Sequence, residues 1–393
     1  MYLTKEEERR YDGECGWADQ VCMKILVRLG ELFGARKLIP IDSAHIAGVS
    51  YKTLGDAPIE FLETLAKANG KAKVKTTLNP QSLDPEYLAK RLPENIVEKQ
   101  STILEQFQHI GVTQSLTCTP YYLDKPKQSA SLAWAESSAV VYANSVLGAH
   151  TNREGGPSAL AAGIIGKTPD YGMHGTKNRK PNVLVNVETQ LRNETEFGAL
   201  GAYLGTILAD QIPIIRGLKN ASETDLKQLG AALASTGMTN MFCLENLNTI
   251  AETAELEKIS AEDRDLKKAF ESLTTTSTSK PDLVFVGCPH CSLKEIARIA
   301  QLADGKKAKA GIEFWVCTST YVKEKAATDV KRIERSGGHV LAGLCTIVSW
   351  TEMLGIKTIM TNSAKTAHYA PTLNKAETIL APLKACLKTA FEG

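Results

Sequence analysis

Short apolar runs and stretches with helical periodicity alternate along the last third of the chain. The runs are DLVFVG, IEFWV, HVLAGL and KTIMTNSA, and helical patterns such as SLKEIARIAQLADG follow the first two. Short apolar runs predict buried strands, whereas apolar residues that recur every three or four positions predict helices. The alternation of strands and helices at short intervals therefore predicts a parallel α/β domain.

The first two thirds of the chain carry the same two patterns less regularly. A capping-box pattern at Thr4 and Glu7 predicts a helix that ends near Gly34. Further helical patterns cover residues 57–70, 95–111 and 195–210. Strand-like runs cover residues 37–42, 71–80, 182–188, 212–218 and 239–245, and a strand that leads into a helix covers 131–148. The expected fold class is α/β throughout the chain.

A polar, low-complexity stretch at residues 274–280, TTTSTSK, is followed by Pro281. Such stretches are typical of linkers. We therefore expect an N-terminal α/β region at 1–279, built of two subdomains, and a C-terminal parallel α/β domain at 280–393.

Charge and hydropathy narrow the class of protein. The 393 residues carry a net charge of +2, with 23% charged and 43% hydrophobic residues. This balance argues against nucleic acid and membrane surfaces as partners, since both require a concentrated basic face. No apolar run is long enough to span a bilayer, and the charged N-terminus lacks the apolar core of a signal peptide. A cytoplasmic protein is expected.

Nine cysteines are spread along the chain: Cys15, Cys22, Cys118, Cys243, Cys288, Cys291, Cys317, Cys345 and Cys386. An odd count at wide spacing disfavours a disulfide framework. Cys288, Cys317 and Cys345 each follow an apolar run in the C-terminal part, and Cys118 follows VTQSL in the same way. Because ligands bind beyond the carboxyl ends of parallel strands, these positions suggest a shared site.

Three kinds of thiol site compete at this point. Zinc usually takes four ligands in two close pairs, and a thioredoxin-like site uses one CxxC near the start of a small domain. The chain has a single CxxC, in GCPHCS, and neither alternative uses Cys118 or Cys345. Iron–sulfur clusters accept thiolates from distant segments, and a four-iron cluster with three protein ligands leaves one iron open as a Lewis acid. Buried structural thiols remain the alternative.

Several longer motifs are specific in combination. They are MYLTKEEE, DSAHIAGVSYKTLGD, TTLNP, CTPYYL, WAESSAVVYANSVLGAHTNREGG, DYGMHG, GCPHCSLKE and TNSAKTAHYAP. Through them the chain resembles the aconitase X family nearly end to end, in the separate large-subunit form of archaea. The resemblance implies an aconitase-like fold, with several parallel-sheet α/β subdomains around a central cluster site and without the swivelling domain.

The resemblance also implies an activity and a partner. The archaeal members look like phosphomevalonate dehydratases, hydro-lyases that convert (R)-5-phosphomevalonate to trans-anhydromevalonate 5-phosphate in an archaeal mevalonate pathway. An iron–sulfur cluster of the [4Fe-4S] type, held by three cysteines, is implied as cofactor. A separate small subunit with the swivelling domain is implied as partner, and a serine on it is expected to be the base. We therefore predict no base in this chain.

On the same resemblance, the predicted cluster ligands are Cys118, Cys288 and Cys345. Cys291 is a rival to Cys288 because it lies one helical turn further on, and Cys317 is a weaker rival. The other four cysteines are predicted to be structural: Cys15, Cys22, Cys243 and Cys386.

A phosphorylated hydroxy acid also needs groups that hold its carboxylate and phosphate. The Gly-bounded loop before Pro157 meets this need best, because an arginine beside a helix N-terminus is a good anion clamp. Its alternative is an ordinary loop with a surface arginine. The predicted substrate-binding residues are Asn144, Ser145, Asn152, Arg153 and Glu154 here, Ser43, His45, Ser50, Tyr51 and Lys52 after the first strand, and Ser363 and Lys365 near the C-terminus.

Three further side chains have expected supporting roles. His174 and His290 are expected to tune the cluster through hydrogen bonds. Glu136 begins a helix, and its simplest interpretation is a favourable first-turn charge.

Two other functions remain open. The same scaffold could dehydrate another small hydroxy acid, such as cis-3-hydroxy-L-proline. A non-catalytic iron-sensing or RNA-binding module is the third hypothesis, and the near-neutral charge argues against it.

Overall fold

A computed structural model describes residues 1–245 and 256–392. The chain forms two compact units. Unit 1 contains Met1–Gln81 and Pro93–Lys180, and unit 2 contains Ser82–Leu92 and Pro181–Gly393. The division predicted after residue 279 stays a prediction.

Unit 1 is built from helices that cover small sheets. Its helices are α1 Lys5–Tyr11, α2 Trp17–Leu32, α3 Tyr51–Leu54, α4 Ala57–Lys67, α5 Glu94–His109, α6 Ser137–Tyr142 and α7 Gly156–Ile165. Its strands are β1 Leu38–Pro40, β2 Ser43–Ile46, β3 Lys75–Leu78, β4 Leu132–Trp134 and β5 Lys167–Pro169. The apolar faces of α2, α4, α5 and α7 form one buried core with residues of β2 and β3.

The N-terminal helix predicted to end near Gly34 is two helices, α1 and α2. The capping box is present, since the Thr4 hydroxyl accepts from the Glu7 amide and the Glu7 carboxylate accepts from Thr4. Gly13 and Gly16, between the two helices, have φ of 91° and 97°. These left-handed values are readily adopted by glycine and end α1 early.

A parallel sheet in the order β3-β2-β4 positions the candidate residues of unit 1. Ser43 and His45 follow the first strand, as predicted, and lie within β2, a second strand that the polar stretch did not predict. Two extended segments continue the sheet on either side through single bridges, Thr77 with Thr113 and Trp134 with Arg153. The predicted strand before Cys118 is therefore an extended segment beside β3.

Unit 2 contains the remaining elements. Its helices are α8 Glu194–Leu208, α9 Glu223–Thr236, α10 Asp263–Leu273, α11 Leu293–Ala303, α12 Thr320–Lys325, α13 Ala327–Arg335, α14 Ala364–Leu373 and α15 Leu383–Ala390. Its strands are β6 Val183–Val187, β7 Pro213–Arg216, β8 Cys243–Leu244, β9 Glu257–Ala261, β10 Leu283–Val286, β11 Lys307–Ala308, β12 Glu313–Thr318, β13 His339–Ala342, β14 Thr358–Thr361, β15 Glu377–Leu380 and β16 Phe391–Glu392.

Two parallel sheets organise unit 2, in the orders β8-β7-β6-β9 and β13-β12-β10-β14-β15. The second confirms the parallel α/β domain predicted for the C-terminal part. Every residue of β10 and β14 is buried, which explains the unbroken apolar run of β10. The carboxyl ends of all five strands meet at one edge of this sheet.

The predicted linker at 274–280 has no regular structure but is attached to unit 2. The Thr275 amide donates to the Thr378 carbonyl of β15 over 2.9 Å, and the Thr378 amide donates to the Thr275 hydroxyl over 2.9 Å. Within the described ranges, no helix combines the length and the apolar character that crossing a membrane requires.

Candidate functional site

A buried polar network lies at the carboxyl edge of the β3-β2-β4 sheet. His45 is fully buried, and its Nδ1 lies 2.8 Å from the Thr77 hydroxyl while its Nε2 lies 3.3 Å from Asn79 Oδ1. The Asn79 amide donates to Glu136 over 2.7 Å. Because the amide oxygen can only accept, His45 carries its proton on Nε2. Burial lowers the pKa of His45 to about 4, so the ring is neutral at pH 7.

Glu136 does more than the predicted first-turn charge. It is the N-cap of α6, accepting from the Ser138 amide at 3.3 Å and the Ser138 hydroxyl at 2.8 Å. Its carboxylate is buried and links β4 to Asn79 after β3. On the far side of β3 the Thr117 amide donates to the Leu78 carbonyl, which places half-buried Cys118 at this same edge.

Side-chain hydrogen bonds hold the predicted anion loop in place. Asn144 lies in a π-helical turn, Ala143–Leu147, and its amide group both donates to the Thr151 carbonyl and accepts from the Thr151 amide. Arg179 donates to Asn144 Oδ1 over 3.1 Å. Asn152 Oδ1 accepts from the Met173 amide over 2.8 Å. Isolated π-turns are frequent at functional sites, which fits the placement of Asn144 and Ser145 here.

Two residues of this region have different surroundings. The Arg153 segment pairs with β4 and ends at the carboxyl edge, as the prediction requires. Glu154 is buried, and its carboxylate accepts from the Ser158 hydroxyl at 2.6 Å and the Thr168 hydroxyl at 3.2 Å. Burial raises the pKa of Glu154. Its visible role is to anchor the loop to the start of α7.

The DSAHIAGVSYKTLGD motif is divided between two places. Ser43 begins β2 at the amino end, accepts from the Trp134 indole and lines a cavity of about 140 Å³, away from the edge that holds Asn79. Ser50 is buried and precedes α3, whose first residues are Tyr51 and half-buried Lys52. The Tyr51 hydroxyl donates to Asp56 over 3.2 Å.

Four cysteines of unit 2 gather at the carboxyl edge of the five-stranded sheet. Cys288 follows β10, Cys317 lies inside β12, and Cys345 follows β13. The Cys291 amide donates to the Cys317 carbonyl over 3.0 Å, and the Cys317 sulfur lies 3.6 Å from the Thr346 hydroxyl. A Cβ at Gly287 would lie 2.3 Å from the Cys317 carbonyl oxygen, so glycine is required for this approach.

Side chains from elsewhere in unit 2 hold the turn at residues 288–291. His290 Nε2 donates to the Leu344 carbonyl over 2.8 Å, which links the turn to the residue before Cys345. The influence on the cluster expected for His290 stays a prediction. Lys227 donates to the His290 carbonyl over 3.0 Å, and Gln228 donates to the Cys288 carbonyl over 3.2 Å.

Burial distinguishes the rival cysteines from Cys345 but not from Cys288, which is itself buried at 8% exposure. It raises the pKa values of Cys291 and Cys317, both completely enclosed, so their thiols stay protonated. The thiolate is the form that binds metal. Cys345 is half-buried, and Cys288 lies in the turn beyond the strand end.

The structural role predicted for the other cysteines fits three of four. Cys22, Cys243 and Cys386 are buried in α2, β8 and α15. Cys15 is exposed in the turn between α1 and α2, so it is not a core residue.

Ser363 and Lys365 follow β14, the neighbour of β10, and therefore share an edge with Cys288. Ser363 is the N-cap of α14 and accepts from the Thr366 amide over 3.2 Å. Lys365 is half-buried in the first turn of that helix. Both positions are compatible with the predicted contact to an anionic group.

Three domain profiles match the chain in order. The aconitase X first domain matches residues 1–177, the second domain 181–271 and the third domain 281–392. The chain belongs to the aconitase X family.

Similar proteins extend this result. The phosphomevalonate dehydratase large subunit of Methanocaldococcus jannaschii is 46% identical, over 99% of this chain and 100% of its own length. The cis-3-hydroxy-L-proline dehydratase of Hypocrea jecorina is 31% identical, over 100% of this chain and 69% of its own length. The crystal structure of holo aconitase X from Thermococcus kodakaraensis superimposes with a TM-score of 0.93 at 41% identity, over 99% and 100% of the two chains.

These comparisons confirm the resemblance and the aconitase-like α/β fold. The curated relatives are dehydratases, which confirms the prediction of a hydro-lyase.

An iron–sulfur cluster, expected for an aconitase X protein, fits the thiols of unit 2. All nine cysteines lie within the described ranges and none forms a disulfide. Cys288 and Cys345 end strands two places apart, and the His290 hydrogen bond ties their segments together. Within residues 1–245 and 256–392, no three His, Cys, Asp or Glu side chains are grouped to hold one metal ion. Cluster thiolates bind different irons and lie farther apart. Cys118 belongs to unit 1, so the complete trio stays a prediction.

His174 in the aconitase X motif DYGMHG is also buried. Burial lowers its pKa to about 4, and both ring nitrogens lack a hydrogen-bond partner within the described residues. Its predicted influence on the cluster stays a prediction.

Sequence reasoning missed several residues of these networks. Thr77 and Asn79 belong to the TTLNP motif, but nothing marked them as partners of His45, because side chains one strand apart are distant in sequence. Lys227 and Gln228 were also missed. The available signal was a lysine inside an otherwise apolar helix, since α9 is buried from Leu226 to Ala234.

The buried neutral His45 gives a testable pH dependence. The folded pKa lies below the usual 6.5, so the unfolded chain binds the proton more tightly. Its contribution is present above pH 6.5 and lost as pH falls toward 4. When the pH falls from 7 to 4.5, protonation of this residue in the unfolded chain should lower the free energy of unfolding by roughly 2–3 kcal/mol. Urea unfolding at both pH values should show a shallower pH slope in H45Q.

The matched control is H109Q, because His109 is exposed at the end of α5. This variant should keep the slope of the unmodified protein. An unchanged slope in H45Q would show that burial of this ring does not suppress its protonation.

Proposed function

We propose that this chain is the large subunit of a dehydratase that converts (R)-5-phosphomevalonate to trans-anhydromevalonate 5-phosphate. The proposal includes a place in an archaeal mevalonate pathway in the cytoplasm. The observation that carries it is 46% identity, along the full length of both chains, to the Methanocaldococcus jannaschii large subunit. The fungal hydroxyproline enzyme is more distant, at 31% identity. The comparisons therefore favour the phosphorylated substrate over the proline derivative.

Cys118, Cys288 and Cys345 would hold the cofactor, a [4Fe-4S] cluster. Such a cluster supplies a Lewis acid for the departing hydroxyl group, through the iron that no protein thiolate fills. The chain contributes the framework that fixes two of these thiols at one sheet edge in unit 2. Cys291 and Cys317 are the competing thiols, and burial raises the pKa values of both.

The remaining residues would bind and orient the substrate. Neutral His45 donates its Nε2 proton to Asn79 and would orient that amide at the site without adding a charge. Arg153 and Lys365 supply cationic groups beside the starts of α7 and α14, where helix N-termini favour anions. Ser363 offers a hydroxyl at the same edge as Cys288. We assign these contacts to the carboxylate and phosphate of the substrate.

A small partner subunit would complete the enzyme. The relatives are named large subunits, which implies a smaller companion. We place the base that removes the proton next to the carboxylate on that companion, since none of the described networks presents an obvious base. Those networks use Glu136 and Glu154 as structural acceptors.

The test is anaerobic co-expression with the proposed small subunit, followed by assays on two substrates. We expect a brown complex that consumes 5-phosphomevalonate at least about a hundredfold more efficiently than cis-3-hydroxy-L-proline. The large chain alone should be inactive. Preference for the proline derivative would support the second hydro-lyase hypothesis. A reconstituted complex that consumes neither substrate would contradict the proposal.

A further inference from the structure

The turn that carries Cys288 is held by hydrogen bonds from side chains outside it. Residues 288–291 belong to neither β10 nor α11 and form no regular structure. The Cys288 carbonyl accepts from Gln228, the His290 carbonyl from Lys227, and the Cys291 carbonyl from Thr318. The last bond measures 2.7 Å. Side-chain donors therefore replace the backbone partners that a helix or strand would provide.

Lys227 is an unusual donor because it is charged and almost completely buried, at 1% exposure. Its Nζ pairs with Glu295 Oε2 over 2.6 Å, and the same oxygen accepts from the amide and hydroxyl of Ser292 at 2.8 Å. Ser292 and Glu295 form the capping box of α11. One ion pair thus connects α9, the His290 carbonyl and the first turn of the helix that follows the cysteines.

Burying a lysine is costly unless its charge is paired, and replacing such a pair by apolar groups is often neutral or stabilising. A contribution to stability therefore explains poorly why a lysine is buried at position 227. Its position suggests a second reason, because it and adjacent Gln228 bond to two carbonyls of one short turn. Together they fix the backbone at Cys288 from the same helix.

We propose that Lys227 and Gln228 are positioning residues that hold Cys288 in the orientation needed to bind the cluster. This proposal rests on the proposed function for its role, but the restraint on the turn exists without a cofactor. Outer partners of this kind typically change metal affinity by about 10- to 100-fold when removed. In this proposal both residues act through the turn and not through contact with substrate or cofactor.

The test compares K227M and Q228M with the unmodified large chain in complex with the small subunit. Methionine matches glutamine in length and is one atom shorter than lysine, and both changes remove the donor. In cluster-free complex we expect amide hydrogen exchange of residues 287–291 to accelerate at least tenfold. In reconstituted complex we expect a chelator to remove the cluster at least tenfold faster, at a temperature well below each unfolding transition. A purely structural role would lower the melting temperature and leave both rates unchanged.

Two further variants keep the result interpretable. K227M/E295Q removes the ion pair together, so no buried carboxylate is left unpaired if K227M fails to fold. K267M makes the same substitution on α10, where Lys267 is exposed and lies 3.8 Å from Glu271, and should match the unmodified protein.

The proposal would be overturned if residues 287–291 exchange their amide hydrogens at the same rate in K227M/E295Q and Q228M as in the unmodified protein. If the unmodified complex takes up no cluster, the proposed function fails, but the exchange measurement still decides whether α9 restrains the turn.

Discussion

Serine in place of Cys288 should remove the visible absorption of the reconstituted complex and lower kcat by more than about a hundredfold, beyond what loss of an outer partner causes. The serine hydroxyl is a poor substitute for a thiolate, and the cofactor supplies the Lewis acid for the departing hydroxyl group. Iron and sulfide content, the visible spectrum and turnover of 5-phosphomevalonate measure the effect.

C291S and C317S are the matched controls, because both thiols lie at the same sheet edge and are protonated through burial. These variants should keep four irons per chain and most of the activity. C15S replaces an exposed thiol of unit 1 that is not a predicted ligand, so it controls for nonspecific effects of a cysteine-to-serine change. If C288S keeps the colour of the cluster and C291S loses it, Cys291 is the ligand and Cys288 is not.

A large effect on stability is expected from G201A in α8. A Cβ at Gly201 would lie 2.3 Å from the Leu229 carbonyl oxygen, in the backbone of α9. Because neither helix backbone can move easily, overpacking should lower the free energy of unfolding by about 3 kcal/mol. The higher helix propensity of alanine should offset about 1 kcal/mol of this loss. The net loss of about 2 kcal/mol should lower the melting temperature by roughly 4–8 °C. Calorimetry of the isolated large chain measures it.

G198A is the matched control, since it makes the same change one turn earlier in the same helix. Its Cβ would approach no atom closer than 3.3 Å, and that atom is the Ala364 Cβ. Its melting temperature should stay within about 2 °C of the unmodified protein. Equal shifts in the two variants would show that the close approach of α8 and α9 is not what limits packing here.

The fold could be predicted well where one physical rule dominates. β10 and β12 are almost wholly buried, so their apolar runs and the helical patterns after them predicted a parallel sheet directly. The prediction failed where two short elements share one polar stretch. Ser43–Ile46 contains a serine and a histidine, and its strand character comes from pairing with β3 and β4, which no local pattern reveals.

The candidate site shows the same limit. Strand ends predicted that Cys288 and Cys345 share an edge, because the carboxyl ends of parallel strands coincide. The contacts of Lys227 with His290 and of Asn79 with His45 join residues far apart in sequence, and they depend on tertiary packing. Glu154 illustrates the converse, since its place beside Arg153 suggested substrate binding while its carboxylate faces Ser158 and Thr168.

Mössbauer spectroscopy of the ⁵⁷Fe-reconstituted complex tests most directly whether three thiolates hold a four-iron cluster with one iron left open. Spectra are recorded with and without 5-phosphomevalonate. We expect one quarter of the iron signal to change its isomer shift and quadrupole splitting on substrate addition, with the other three quarters unaltered. The account would be contradicted if the signals of all four irons stay the same when substrate is added, or if the spectrum shows only isolated iron.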